Sequence, residues 1–192
     1  MGHSQTDKAQ SRERILAEAA TQLRDGGLES VSVGKLMRSV NLTHGGFYGH
    51  FESRSDLVAH ALERALSDGA ARAKAAVDSD RPVNFDTLLR NYLSRQHRDS
   101  RKEGCAIAAL ASDVARADEP SRVVMEAHVE RFIAKVGAAL DSDDAEAMLA
   151  VSAMIGGLLL SRVLTDTKRS DALLRAVKNG LSSLKDDKTP SP

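Results

Sequence analysis

Three places in the chain carry residues that could do chemistry. Ser32-Val33-Gly34-Lys35 fits the Ser-x-x-Lys spacing in which a lysine activates a serine nucleophile. That pattern is short and lacks a Lys-Thr-Gly partner here. The chain also has no His-Glu-x-x-His, no Gly-x-Ser-x-Gly, no Walker loop and no dinucleotide-binding glycine turn. The six histidines do not make metal spacing with Cys or carboxylates, so neither a metal nor a cofactor is expected. Cys105 follows Gly104 at the expected start of a helix, near Arg101 and Lys102. Such surroundings lower a thiol pKa and would suit a redox or electrophile sensor; the favoured reading is a small buried apolar residue. The third place is Asn41 to Phe51, NLTHGGFYGHF. Gly45, Gly46 and Gly49 would each cost a helix about 1 kcal/mol relative to Ala. Something other than helix propensity must explain them, and close approach of the backbone to a groove wall is one explanation. A plain loop at Gly45-Gly46 is the alternative.

The elements that must position these groups are helices. Aromatics are scarce at 3%, β-branched alternation is missing, and apolar residues recur at spacings of three and four. A first helix is expected from Lys8 to Arg24, with Ile15, Leu16, Ala19, Ala20 and Leu23 on one face and Gly26-Gly27 as its stop. Ser32 should cap a second, carrying Val33, Leu36, Met37 and Val40. Asn41-Leu42-Thr43 should turn the chain into a short third helix from His44 to His50. Ser53-Arg54-Ser55-Asp56 reads as a capping box for a long fourth helix continuing to about Val77. A turn at Asp78–Pro82 and a helix over Phe85–Leu93 follow, then a polar loop from His97 to Gly104. A helix from Cys105 to Ala117 comes next, then one opened by Pro120 and carrying Met125 to Leu140. Ser142 should cap the eighth helix, and Ser170 and Asp171 should open the ninth. About nine helices, all-α, with a disordered tail over 186–192, is the expected architecture.

Charge does not single out a partner. The 192 residues hold 27 Lys or Arg and 27 Asp or Glu, and residues 1–60 hold seven of each sign. Residues 1–20 are polar and charged, so no secretory signal is expected, and the apolar stretch Ala145–Leu160 is too short and too broken by Gly and Ser for a membrane span. A lone cysteine fits a reducing cytoplasm.

Two short helices joined by three residues suit a unit that projects one helix into a DNA groove about 12 Å wide and braces it with the other. Asn41 tolerates the left-handed conformation such a joint needs. Thr43 can cap the third helix and leave its hydroxyl near a phosphate. Leu42, Phe47 and Phe51 would anchor that helix on Ile15, Leu36 and Val40.

Residues 12–60 resemble the DNA-binding domain of the TetR family. Val31 to Phe51, VSVGKLMRSVNLTHGGFYGHF, is similar to that family's second helix, turn and third helix with its Phe-Tyr-x-His-Phe ending. Two departures are Asn41 where Gly is often found, and Met37-Arg38 around the position where Ala is usual. The resemblance implies a head at 8–52 and a helical sensing and dimerisation body at 53–185. It implies that Thr43, Tyr48 and His50 contact phosphates and that His44 and Gly45 face base edges. Ser32 and Lys35 would touch the backbone, as would Arg54, while Arg38 would reach backbone or base. It further implies a homodimer on a palindromic operator, acting as a repressor released by a small hydrophobic or amphipathic effector. For the effector pocket the candidate lining is Phe85, Tyr92, Cys105, Met125, His128, Phe132, Met154 and Leu158, with plain core the alternative for each. For the dimer interface the candidates are Ala153, Gly156, Gly157, Leu160, Leu174, Val177 and Leu181. A helical protein-interaction module with a vestigial head is the rival class.

Overall fold

Ile15, Leu16, Ala19, Ala20 and Leu23 are the buried stripe of the first helix, and the same three-and-four spacing builds every longer element of the chain. The computed structural model describes residues 5–75, 84–100 and 104–186. Among the described residues the protein is all-α, with nine α-helices and two short 3-10 helices. The order is α1 (Gln5–Gly26), a 3-10 turn (Leu28–Ser30), α2 (Val33–Ser39), a 3-10 helix (His44–Gly49) and α3 (Arg54–Ala75), followed by α4 (Phe85–Tyr92), α5 (Arg95–Asp99), α6 (Ala106–Val114), α7 (Glu119–Leu140), α8 (Asp144–Val163) and α9 (Thr167–Asp186). The expected turn at 78–82, the reach of the fourth helix past 75 and the tail at 187–192 lie outside the described residues.

Two hydrophobic cores hold the chain. The first joins α1, α2, the His44–Gly49 segment and α3 to α6 through Ala106, Ile107, Leu110 and Val114. The second joins α4, α7, α8 and α9 around Phe85, Leu89, Val136 and Met154. Val129, Phe132 and Ile155 pack against both and form the seam between them. The α8 helix has a mean hydropathy of 1.5 and is long and apolar enough to cross a membrane by length and composition. Here one of its faces is core against α7 and α9.

Several ends differ from expectation, each for a local reason. Ser53 does open α3: its Oγ accepts from the Asp56 N–H (3.1 Å), and the Asp56 carboxylate accepts from the Glu52 N–H (3.0 Å). The α8 cap is Asp143, whose carboxylate accepts from the Glu146 N–H at 2.9 Å, instead of Ser142. The reason lies one turn earlier, where Asp141 takes a left-handed conformation (φ 51°) to end α7. The α9 helix starts at Thr167, with Asp166 accepting from the Lys168 and Arg169 N–H groups.

Ser170 and Asp171 are consequently inside α9 and buried, because they hold an arginine from the segment expected to be loop. That segment contains α5, capped by Ser94 Oγ accepting from the His97 N–H at 3.0 Å. Arg98 donates to Ser170 Oγ and Asp171 Oδ1, both at 2.8 Å, and Arg95 pairs with Asp171 at 2.6 Å. Burial would raise the Asp171 pKa, but the hydrogen bonds from Arg98 and Arg95 outweigh it and hold the carboxyl below its ordinary range. The α5 turn is fixed further by Arg162, which donates to the Arg98 and His97 carbonyls at 3.1 and 3.0 Å. Gly104 closes it, since a Cβ there would stand 2.7 Å from the Ser100 carbonyl oxygen.

Candidate nucleic-acid interface

The His44–Gly49 segment is a 3-10 helix where the sequence pattern suggested an α-helix. Three glycines leave little α propensity, so the tighter, shorter turn is held from outside. Phe47 is 1% exposed and Phe51 2%, and the two rings stack at 5.7 Å on the core of α1, α2 and α3. Asn41 is left-handed, at φ 58°, as the joint after α2 requires. Thr43 caps the segment, its Oγ1 accepting from the Gly46 N–H at 3.3 Å.

This anchoring presents a row of exposed groups. Thr43, His44, Gly45 and Tyr48 face solvent, with Tyr48 68% exposed, and Ser32, Lys35 and Arg38 are exposed on α2. Ser32 occupies the cap position but makes no side-chain cap bond. The α2 and 3-10 segments meet at Gly34: a Cβ there would lie 3.7 Å from an Arg38 guanidinium nitrogen and 3.8 Å from the His44 ring. Gly45 and Gly49 are different, because a Cβ at either would meet nothing within 4 Å, and neither has positive φ. Neither internal packing nor backbone conformation requires glycine at these two places.

Two of the residues expected to contact phosphate sit otherwise. His50 is half-buried, with no hydrogen-bond partner on Nδ1, and burial, followed by the charges of Lys8 and Arg12, lowers its pKa. Arg54 is turned back into the head, where it donates to the Val31 carbonyl (3.1 Å) and the Leu28 carbonyl (2.9 Å) and pairs with Glu29 (3.4 Å). Its fork holds two carbonyls beside the Leu28–Ser30 turn. Lys8 and Arg12 are two basic residues of the head that the sequence pattern does not single out. They sit four residues apart on α1, and Arg12 lies 4.8 Å over the Phe51 ring, which brings α1 to the same edge of the head.

In the body, the predicted lining residues divide. Phe85, Met154 and Leu158 are solvent-free core, Met125 belongs to the first core, and His128 is bound through Nε2 to both Glu63 oxygens at 3.0 Å. Tyr92, Cys105 and Phe132 do come together. The Tyr92 hydroxyl donates to Cys105 Sγ at 3.3 Å, and its ring lies 5.4 Å from Phe132. His97, which sequence reasoning placed in a loop, completes the group. Its Nδ1 donates to the Tyr92 carbonyl (2.7 Å) and its Nε2 accepts from the Cys105 N–H (3.0 Å). With burial lowering its pKa first of all, His97 is neutral and both its nitrogens are engaged. Among the described residues a cleft of about 170 Å³ opens elsewhere, between α5, α8 and α9, and is lined by polar groups including Arg98, Asp99, Arg162 and Thr167.

The expected dimer residues divide as well. Leu174 and Leu181 are buried within the chain, and Val177 packs on Gly157, where a Cβ would stand 3.1 Å from it. Ala153 is half-buried, while Gly156 faces open space and Leu160 is 55% exposed. With Met148, Leu149, Leu159 and Val163, Leu160 forms an exposed apolar face along α8.

The model of the tetR family of bacterial regulatory proteins matches residues 15–61, the segment that builds this head. The chain carries a TetR-family DNA-binding head at these residues. It is a DNA-binding transcriptional regulator and not an enzyme. An HTH-type transcriptional regulator of Mycobacterium tuberculosis strain H37Rv is 27% identical over 184 residues, covering 88% of this chain and 92% of the relative. The TetR-family fold extends over the body too. The reduced form of E. coli NemR aligns with a TM-score of 0.74 at 18% identity, over 91% of this chain and 96% of that one. A TetR regulator from Chloroflexus aurantiacus aligns at 0.72 and 18% identity, over 93% and 95%.

The geometry of Arg54 makes it a stability residue of the head. Arg54→Ala should lower the unfolding free energy by roughly 1–3 kcal/mol, the scale of hydrogen bonds from a charged donor. Arg54→Lys, which keeps the charge without the fork, should restore little of it in denaturant titrations.

Proposed function

We propose that this regulator binds a palindromic operator as a homodimer, through the 3-10 helix His44–Gly49 and α2, and represses transcription until a small effector releases it. The observation that supports the reading most is the pair Gly45 and Gly49, whose missing side chains leave room that none of the described residues uses. A groove wall approaching the backbone would use it. Thr43, Tyr48, Ser32 and Lys35 are then phosphate contacts, and His44 and Gly45 face base edges. Lys8 joins them from α1. His50 offers its imidazole as a further contact, with burial lowering its pKa in the free chain. The protein would work in the cytoplasm.

The exposed face of α8 is the proposed dimer surface, revised from the residues expected at the outset. Leu160 and Gly156 remain, Met148, Leu149, Leu159 and Val163 join them, and Gly157, Leu174, Val177 and Leu181 belong to packing within one chain. A two-fold contact along this face would place two heads on one side of a duplex, with half-sites spaced to the helical turn.

The functional division into a head at 8–52 and a body at 53–185 does not coincide with the cores, and that supports a route for release. The α6 helix starts at the Tyr92–His97–Cys105 group and ends inside the head's core. Near that end Asp113 accepts from the Leu28 N–H at 3.1 Å, beside Gly27 at φ 79°. Asp118, the α7 cap, is also bonded to Ser55 at the start of α3. An apolar effector that opened the Phe132 seam would shift α6, and α6 would carry the head with it. The effector acts only by binding the released arrangement more tightly than the DNA-bound one.

A second reading rests on Cys105, half-buried at the cap of α6 with the Tyr92 hydroxyl on its sulfur. A hydroperoxide would oxidise the thiol to a sulfenic acid and itself be reduced to an alcohol, displacing that bond and the start of α6.

Gly45→Ala should fold at least as stably as the parent, gaining up to about 1 kcal/mol, yet bind duplex at least about tenfold more weakly. Equal affinity in a fluorescence-anisotropy titration at fixed salt would sink the proposed approach. Leu160→Glu should sediment as a folded monomer and lose tight binding to a palindrome. For the second reading, Cys105→Ser should keep operator binding and lose release by peroxide or electrophile; release that persists removes the sensor.

A further inference from the structure

Arginines of the head are otherwise engaged. Arg12 lies on the Phe51 ring, Arg14 donates to Ser11, Arg24 donates to the Ala65 carbonyl beside Asp68, and Arg54 holds the Leu28 and Val31 carbonyls. Among the described residues the Arg38 guanidinium has no ion pair, hydrogen bond or ring contact. It is exposed, one turn along α2 from Gly34. The bare Gly34 position is the point where Arg38 and His44 converge, at 3.7 and 3.8 Å from a Cβ built there. The His44 ring in turn faces the Tyr48 ring edge-on at 6.4 Å. Arg38 is therefore directed toward the start of the 3-10 helix, on the side where His44 and Gly45 are exposed.

We propose that Arg38 reads a guanine in the major groove, next to the base pair approached by His44. This rests on the DNA-binding reading above and adds the base and the residue. A guanidinium presents two parallel N–H donors, and guanine presents O6 and N7 as two acceptors at matching separation on its major-groove edge. A guanidinium beside an imidazole that can donate one N–H suits an acceptor-rich edge. Thymine offers only O4 there and adenine pairs its N7 acceptor with a donor, so neither takes both arms of the fork. Gly34 contributes by omission, since its lack of a side chain leaves the two groups free to share one approach.

The test is selection of bound duplexes from a random-sequence pool by the full-length chain and by Arg38→Ala, Arg38→Lys and His44→Ala, followed by affinity measurements across salt on the selected duplex and its single-base variants. The parent should select a G·C pair at one fixed position in each half-site. Replacing that pair should weaken the parent about 5- to 100-fold and leave Arg38→Ala nearly indifferent, while Arg38→Lys, whose ammonium can also donate to O6 and N7, should keep part of the preference. Preference at that position should survive in His44→Ala, which should relax a neighbouring one. Arg38→Lys should keep the parent's salt dependence, because its charge is unchanged. The inference is overturned if Arg38→Ala selects the parent's motif unaltered while binding all duplexes more weakly and with a shallower salt slope, which marks a phosphate contact. It also falls if Arg38→Ala retains full discrimination, or if the fixed position is not G·C. A parent that selects no duplex overturns the DNA-binding reading itself, an outcome distinct from the others.

Discussion

Burial of Phe47 and Phe51 is the constraint on which the rest of the head depends. The segment between Asn41 and Phe51 has glycine at three positions and no intrinsic reason to be helical. Two stacked rings fixed in a shared core supply what propensity does not, and the Asn41 turn and Thr43 cap set the direction in which the chain leaves and returns. The exposed polar row on the opposite side is then rigidly placed although its own backbone is weak. This separates two demands: the buried rings specify position, and the residues between them are released to satisfy a surface outside the chain.

Charge is arranged on the same principle. A chain with equal numbers of acids and bases cannot attract a polyanion by net field. Most arginines of the head hold carbonyls, a carboxylate or a ring, and so serve as internal struts. Lys8, Lys35, Arg38 and the hydroxyls of Ser32, Thr43 and Tyr48 remain exposed on the head. Affinity built from few charges and directed hydrogen bonds is less sensitive to salt than affinity built from a basic surface, and it places more of the recognition in base contacts.

Much of this was legible in the sequence. Helical periodicity gave α1, α2, α7 and α8 nearly to their ends, and the turn at Asn41 and the box at Ser53 followed from local chemistry that needs no tertiary partner. What escaped was set by contacts distant along the chain. Arg98 and His97 lie in a polar stretch that reads as loop, and only the arrival of Asp171 and Ser170 from α9 and of Cys105 from α6 makes that stretch an ordered turn. Ser170 and Asp171 have the composition of a helix start and were placed there for that reason, yet burial uses them as ligands for a guanidinium. Arg54 likewise has an exposed, basic look until the Leu28 and Val31 carbonyls claim it. Leu174 and Leu181 read as an interface because sequence shows an apolar stripe without saying which neighbour covers it.

The core of the head ends on α6, not at the boundary that the motif suggests. Ala106, Ile107, Leu110 and Val114 close a surface that α1 and α3 would otherwise leave wet, and Asp113 satisfies a backbone N–H of the Leu28–Ser30 turn. A chimera that grafts residues 8–52 onto the body of another regulator would thus transplant an incomplete module. The folded head of this chain includes a helix more than 50 residues downstream, so a substitution on the inner face of α6 reaches the packing of the head.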